Sequence, residues 1–266
     1  MTAKRIGLDE VRASLDPSVK AHYSVAWFGR PIGNLLTPFC YNIGWTANGV
    51  TIFRMYLAVV ITACLAFPGW ETAVVGAVGF YVCFILDCVD GNLARLQTSV
   101  TYWGKFIDGL ADFIFVQGAP LAAGIGQWAI TGDVYWIVIG SAISIMTVTS
   151  QMVRARLSFF REWMVSLTGP ITDDVNKELE APRRIQSMMA VVFVNGTFLG
   201  PLLLFVPDYG RQLFLLAGLA TVFLVEFIWL CATMRESRIL LNRQRRSRHS
   251  PPEAAANADD AQAGAE

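Results

Sequence analysis

The sequence predicts an all-α, polytopic integral membrane protein with six transmembrane helices and an N-terminal interfacial amphipathic helix. Three observations carry that reading. Hydrophobic residues make up 54% of the 266-residue chain, the mean hydropathy is +0.46, and six apolar segments each approach the roughly 20 residues that a spanning helix needs. Length alone would allow one or two soluble domains, but composition overrides that expectation.

Residues 1 to about 20 are polar and carry Lys4, Arg5, Arg12 and Lys20 without an apolar run. That argues against a cleavable signal peptide and predicts a loosely ordered stretch, leaving the first hydrophobic segments as uncleaved targeting signals. From Val25 to Ile43 the aromatic and aliphatic residues Trp27, Phe28, Ile32, Leu35, Leu36 and Phe39 alternate with Arg30, Pro31 and Asn34. This stretch is too interrupted to span a bilayer and fits an amphipathic helix, lying in the interface or capping the bundle.

Apolar segments follow near 49–68, 70–90, 104–128, 134–157, 186–206 and 211–234. They divide the chain into an N-terminal segment (1–47), a six-helix transmembrane domain (48–234), and a basic juxtamembrane stretch with a disordered tail (235–266). Gly118, Ala122 and Gly126 recur every four residues on the third segment, and Ala73 and Ala77 on the second. Small residues at this spacing let helix backbones approach closely, either inside the bundle or between two protomers of a homodimer. Glu226 lies in the middle of the sixth segment, where a carboxylate marks either function or a polar partner on a neighbouring helix.

Charge distribution orients the bundle. The linking stretches 68–71 and 129–133 contain no Lys or Arg, and 207–210 has only the adjacent Arg211. The opposite side collects Lys4, Arg5, Arg30, Arg95, Lys105, Arg154, Arg156, Arg161, Lys177, Arg183, Arg184 and the run from Arg235 to Arg248. The positive-inside rule then places both termini and the 158–185 loop in the cytoplasm. The basic run after Arg235 also suits anionic lipid headgroups. A formal net charge of zero gives no sign of a nucleic-acid partner. Cys40, Cys64, Cys83, Cys88 and Cys231 lie in or beside apolar segments without a CxxC pair, and read as small hydrophobes. His22 and His249 fall in the flanking segments, away from any site.

The stretch from Asp87 to Asp112 carries the chemistry. It reads Asp87-Cys88-Val89-Asp90-Gly91-Asn92-Leu93-Ala94-Arg95, eight residues, then Gly104-Lys105-Phe106-Ile107-Asp108-Gly109-Leu110-Ala111-Asp112. Four carboxylates at the ends of two apolar segments are costly unless a cation joins them. On helices, the steps from Asp87 to Asp90 and from Asp108 to Asp112 each put two carboxylates on one face. Two such faces turned together make an oxygen-only cage suited to Mg²⁺ or Mn²⁺, and two divalent ions would balance four negative charges. Such a centre suits displacement at phosphorus. Gly91 and Gly104 leave room for a ligand to approach.

The spacing D-x2-D-G-x2-A-R-x8-G-x3-D-x3-D resembles the signature of the CDP-alcohol phosphotransferase family, with all eight fixed positions matched over twenty-six residues. That resemblance implies an integral membrane enzyme, active in phospholipid biosynthesis, which moves a substituted phosphoryl group from a CDP-alcohol to an acceptor hydroxyl and releases CMP. The donor it implies is a CDP-alcohol such as CDP-diacylglycerol, the acceptor a polar alcohol. It further implies Asp87, Asp90 and Asp108 as metal ligands, Asp112 as a base that also borders the metals, and Gly91, Ala94, Arg95 and Gly104 as parts of the CDP pocket. Thr46-Ala47-Asn48-Gly49-Val50-Thr51-Ile52-Phe53-Arg54 is similar to the Thr-Pro-Asn-x-x-Thr stretch of many members, with Ala47 in place of proline. Asn48 and Thr51 are thereby nucleotide contacts by resemblance, and helix-capping residues by propensity alone. Lys105, Arg154 and Arg156 are candidates for a cationic acceptor pocket or for positive-inside anchors. The resemblances to individual branches of the family conflict, so the acceptor stays open. The alternative from another class is an intramembrane cation transporter, which would string its ionisable residues along a path at mid-membrane depth.

Overall fold

A computed structural model of the chain describes residues 5–15, 25–99, 101–169, 171 and 173–249. Among these residues all regular structure is helical: α1 Leu8–Ala13, a π turn Val25–Gly29 leading into α2 Arg30–Asn42, α3 Ala47–Leu65, α4 Trp70–Leu96, α5 Tyr102–Thr131, α6 Tyr135–Thr168, α7 Asp173–Leu199, a 3₁₀ turn Gly200–Phe205, α8 Gly210–Thr221, a π turn Val222–Glu226 and α9 Phe227–His249. Six stretches are long and apolar enough to cross a membrane: Ala47–Leu65, Trp70–Leu96, Tyr102–Thr131, Tyr135–Leu167, Asp173–Phe205 and Gly210–Arg243. The protein is an all-α integral membrane protein.

The described residues form two compact units, one drawn from within 1–148 and 190–226, the other from within 149–189 and 227–266. In the first unit α3 packs along both α4 and α5, which touch each other only sparingly. The reason is in the spacing of the buried positions. On α3 these are Ala47, Val50, Thr51, Arg54, Ala58, Ile61 and Leu65, steps of three or four apart from the adjacent Val50 and Thr51, which make one continuous helix stripe. Ala73, Ala77, Phe80 and Cys83 of α4 and Phe115, Ala119 and Ala122 of α5 close over it. The small-residue stripe works inside this bundle: a Cβ at Gly118 would run into Thr62, and one at Gly126 into the Leu65 carbonyl.

Local chemistry sets the helix ends. Thr46 caps α3, its Oγ1 accepting from the Gly49 amide at 3.1 Å, and Thr101 caps α5 by accepting from the Gly104 amide at 3.0 Å. Gly132 ends α5 at φ 76°, a left-handed conformation that favours glycine. At the opposite end from those caps, buried Arg211 donates to the Gly69 carbonyl (2.7 Å), the Phe67 carbonyl (2.7 Å) and Thr72 Oγ1 (2.6 Å), tying the start of α8 to the α3–α4 turn.

The second unit is organised around Glu236, which is fully buried. Its carboxylate accepts from Arg161 Nε at 2.7 Å and Nη2 at 2.5 Å, and from Gln186 Nε2 at 2.9 Å, with Arg183 Nε 3.6 Å away. Leu157, Met164, Leu179 and Leu240 are also buried in this unit.

Two expectations change. The stretch 158–185 is not a loop: α6 continues to Thr168 and α7 begins at Asp173. Hydropathy marks where a helix leaves the apolar layer, whereas its backbone hydrogen bonds continue for as long as the residues tolerate helix. The N-terminal stretch is not uniformly loose either, since α1 docks on α2. The Ile6 amide donates to Asn42 Oδ1 at 3.0 Å, Asn42 Nδ2 returns a bond to the Ile6 carbonyl at 3.1 Å, and Val11 is buried. His22 and the tail 251–266 lie outside the described residues. The cysteines are all free thiols.

Candidate active site

The buried stripes of α3, α4 and α5 turn polar at the same end of the first unit. There α3 contributes Thr51 and Arg54, α4 contributes Asp87 and Asp90, and α5 contributes Asp108 and Asp112. The register is held by Gln97, just past α4, whose Oε1 accepts from the Ala47 amide at 3.2 Å while its Nε2 donates to the Trp45 carbonyl at 2.8 Å. That clasp sets the first turn of α3 beside the last turns of α4.

Asp87, Asp90 and Asp108 each offer a carboxylate oxygen, and these three oxygens lie within 4.8 Å of one another. The donor set is oxygen-only and anionic, which fits a hard divalent cation and excludes the thiolate and imidazole chemistry of a structural zinc site. Asp112 stands outside this trio.

Arg54 sits at the centre of all four carboxylates. Its side chain is only 4% exposed; Nη1 pairs with Asp87 and lies 3.2 Å from Asp112, Nη2 donates to Asp108 Oδ1 at 2.5 Å, and Nε is 3.9 Å from Asp90. Arg54 thus supplies the countercharge that the carboxylates demand, a role that the sequence motif does not assign to it. The signal was the one charged residue of α3, seven residues after Ala47 and one helical turn after Thr51.

Thr51 has a different place from a capping residue. Its Oγ1 is 2.8 Å from Asp90 Oδ2 and 3.1 Å from the Ala47 carbonyl, so the hydroxyl orients the most buried carboxylate of the cluster. Thr46, not Asn48 or Thr51, caps the helix.

An open cavity of about 200 Å³ adjoins the cluster. Asn48, Thr51, Gly91, Ala94, Arg95 and Gly104 all line it, together with Asp90, Asp108 and Lys105. Asp87 and Asp112 pair with Arg54 and do not line this cavity. A Cβ at Gly91 would come into ordinary contact with the Arg95 guanidinium, 3.7 Å from Nη1, which places this glycine directly beside Arg95. At Gly104 a Cβ would press on Asn48 Oδ1 at 3.0 Å, so glycine there lets α5 start close against α3. Arg95 and Lys105 give the cavity two cations facing an acidic floor, a combination that accommodates an anionic group bridged by cations. Arg154 belongs to the second unit, where its guanidinium lies 4.0 Å from the centroid of the Trp229 ring.

Comparison with known proteins follows the same residues. The family model described as CDP-alcohol phosphatidyltransferase matches residues 45–225, which contain α3 to α8 and every residue of the cluster and cavity named above. The CDP-diacylglycerol–glycerol-3-phosphate 3-phosphatidyltransferase of Haemophilus influenzae is 28% identical over 118 residues, a stretch covering 44% of this chain and 58% of that protein.

Proposed function

As a member of the CDP-alcohol phosphatidyltransferase family, to which residues 45–225 assign it, this chain is, we propose, an enzyme that transfers a phosphatidyl group from CDP-diacylglycerol to the hydroxyl of a polar alcohol and releases CMP. The observation that carries this reading is the convergence of four aspartates from two helices on Arg54, two of which, Asp90 and Asp108, line a cavity together with Arg95 and Lys105. The name of the Haemophilus influenzae relative makes glycerol 3-phosphate the first acceptor to test.

Asp87, Asp90 and Asp108 would hold Mg²⁺ or Mn²⁺, and Asp112 would border the metals. Bound there, divalent ions supply Lewis-acid stabilisation of charge on the diphosphate and on departing CMP. The rest of the step falls to the chain's own residues. Arg95 and Lys105 bind the phosphate oxygens and fix the orientation of the attacked phosphorus. Gly91 and Gly104 allow the nucleotide close to the backbone, with Asn48 at the cavity wall. Thr51 keeps Asp90 turned toward the cluster. Asp112 accepts the proton of the acceptor hydroxyl as its oxygen forms a bond to the phosphatidyl phosphorus; the bond from that phosphorus to the CMP oxygen breaks, and CMP leaves with the electron pair.

The charge distribution supports placing this end of the bundle, with both ends of the chain, on the cytoplasmic face, where a water-soluble product can leave. The cation-transporter reading needs carboxylates spread through the membrane, whereas the four aspartates gather at one end of their helices. The test incubates purified protein with Mg²⁺ or Mn²⁺, CDP-diacylglycerol and a panel of alcohols including glycerol 3-phosphate, scoring CMP and the lipid product. Release of CMP with a matching lipid is expected; no CMP with any pair would favour the transporter.

A further inference from the structure

Asn92 lies inside the acidic motif but at a position for which the family signature specifies no residue. It is 2% exposed, and its amide is bonded on both sides. Nδ2 donates to Asn34 Oδ1 at 2.9 Å and to Thr37 Oγ1 at 3.0 Å, both on α2, while Oδ1 accepts from Arg95 Nη2 at 2.6 Å. The direction of this chain of bonds is fixed from the α2 end. Thr37 is fully buried, and its single hydroxyl proton goes to the Gly33 carbonyl at 2.7 Å. Thr37 can therefore only accept from Asn92, which turns the amide nitrogen toward α2 and the oxygen toward Arg95. Gly33 makes the approach close enough, because a Cβ there would sit 2.7 Å from Cys88 Cβ. An arginine that is itself solvent-exposed is thus held by an acceptor that is not.

We propose that Asn92 is a positioning residue: oriented by Thr37 and Asn34 of the helix that precedes the membrane spans, it holds the Arg95 guanidinium beside the cavity in the pose that meets a nucleotide diphosphate. This rests on the reading of the cavity as a CDP site. A long arginine side chain loses rotamer freedom when it binds an anion, and a fixed buried acceptor removes part of that cost beforehand. The same chain of bonds makes the placement of α2 a determinant of donor affinity.

The test is CDP binding in the presence of Mg²⁺, measured by calorimetry on the full chain in detergent. The proteins are wild type, Asn92→Leu, Arg95→Ala, the double variant, Thr37→Val and Thr37→Ser. Loss of a hydrogen bond to a charged group predicts roughly tenfold weaker CDP binding for Asn92→Leu. In the Arg95→Ala background the same change has no further effect, because the two residues act as one unit. Thr37→Val weakens binding about threefold, the size of one neutral hydrogen bond, and Thr37→Ser restores it. A loss on Asn92→Leu of equal size with and without Arg95, or equal impairment by Thr37→Val and Thr37→Ser, would show only general packing and overturn the proposal. The nearly isosteric Thr37 pair decides the matter if Asn92→Leu does not fold. Failure of the wild type to bind CDP at all would instead remove the nucleotide reading of the cavity, and the role of Asn92 with it.

Discussion

Arg54 concentrates the residue-scale problem of this protein: four like-charged groups on two helices, held by one guanidinium from a third. Removing a partner from a buried ion pair costs roughly 3–5 kcal/mol. The lower end applies here, because Asp87, Asp108 and Asp112 keep 41%, 45% and 62% of their side-chain exposure. Arg54→Met is expected to melt well below wild type in chelator, and added Mg²⁺ should narrow the gap by supplying the missing positive charge. Equal melting of the two proteins in chelator would show that Arg54 does not stabilise the cluster. Asp112 raises a separate question, since it touches Arg54 but stands outside the trio of close carboxylate oxygens. An alcohol is a weak nucleophile at neutral pH, and a positioned base contributes about 10² to 10⁴-fold to rate. Asp112→Asn should lower product formation by about that factor while leaving CDP binding near wild type. If donor binding disappears as well, and excess metal restores the full rate, Asp112 is a ligand and the base lies elsewhere.

At the scale of elements, function depends on how closely α3 lies against α4 and α5. The cluster exists only while the register of α3 holds Arg54 between the two aspartate pairs. Gln97 fixes one end of that register through Ala47 and Trp45. Close backbone contact fixes the other, where Gly126 faces the Leu65 and Phe67 carbonyls and Arg211. Backbone cannot move aside as a flexible side chain can. Gly126→Val should therefore destabilise the protein by about 1–3 kcal/mol, the usual cost of overpacking. The measurement is the thermal unfolding midpoint in detergent with and without Mg²⁺. An unchanged midpoint would mean that α5 can withdraw from α3 without penalty, and that the close approach is not required.

For the molecule as a whole, the prediction is its orientation. The acidic cluster and the α3 and α5 caps share one end of the first unit, and the Arg211 clasp with the α3–α4 turn marks the other. Lys and Arg are absent from the linking stretches 68–71 and 129–133. Arg211 is no counterexample, because its guanidinium is spent on the Gly69 and Phe67 carbonyls and Thr72 rather than displayed to solvent. Asp133→Cys on a cysteine-free background should react with an impermeant thiol reagent from outside the cytoplasm only. Labelling from the cytoplasmic side alone would invert the topology and put the aspartates on the wrong face for a soluble nucleotide product.

What the sequence determined by itself is what short-range physics encodes. Spans follow from runs of apolar residues, and the pairing of carboxylates on a face follows from helical steps between Asp87 and Asp90 and between Asp108 and Asp112. Family membership was legible for the same reason, since the spacing of eight residues is a local property. The tertiary structure decided what joins residues far apart in the chain. Arg54 is 33 residues from Asp87 and 54 from Asp108, and nothing in its own helix says that it will face both. Asn92 reads as an unremarked motif position until α2, 55 residues upstream at Thr37, supplies the partners that aim it. Helix lengths beyond the spans were likewise hidden, because hydropathy reports where a segment meets the apolar layer and not where its hydrogen bonds stop. A buried polar side chain needs a partner, but only the packing of helices chooses which one, because the sequence repeats the same short menu of polar groups on every helix.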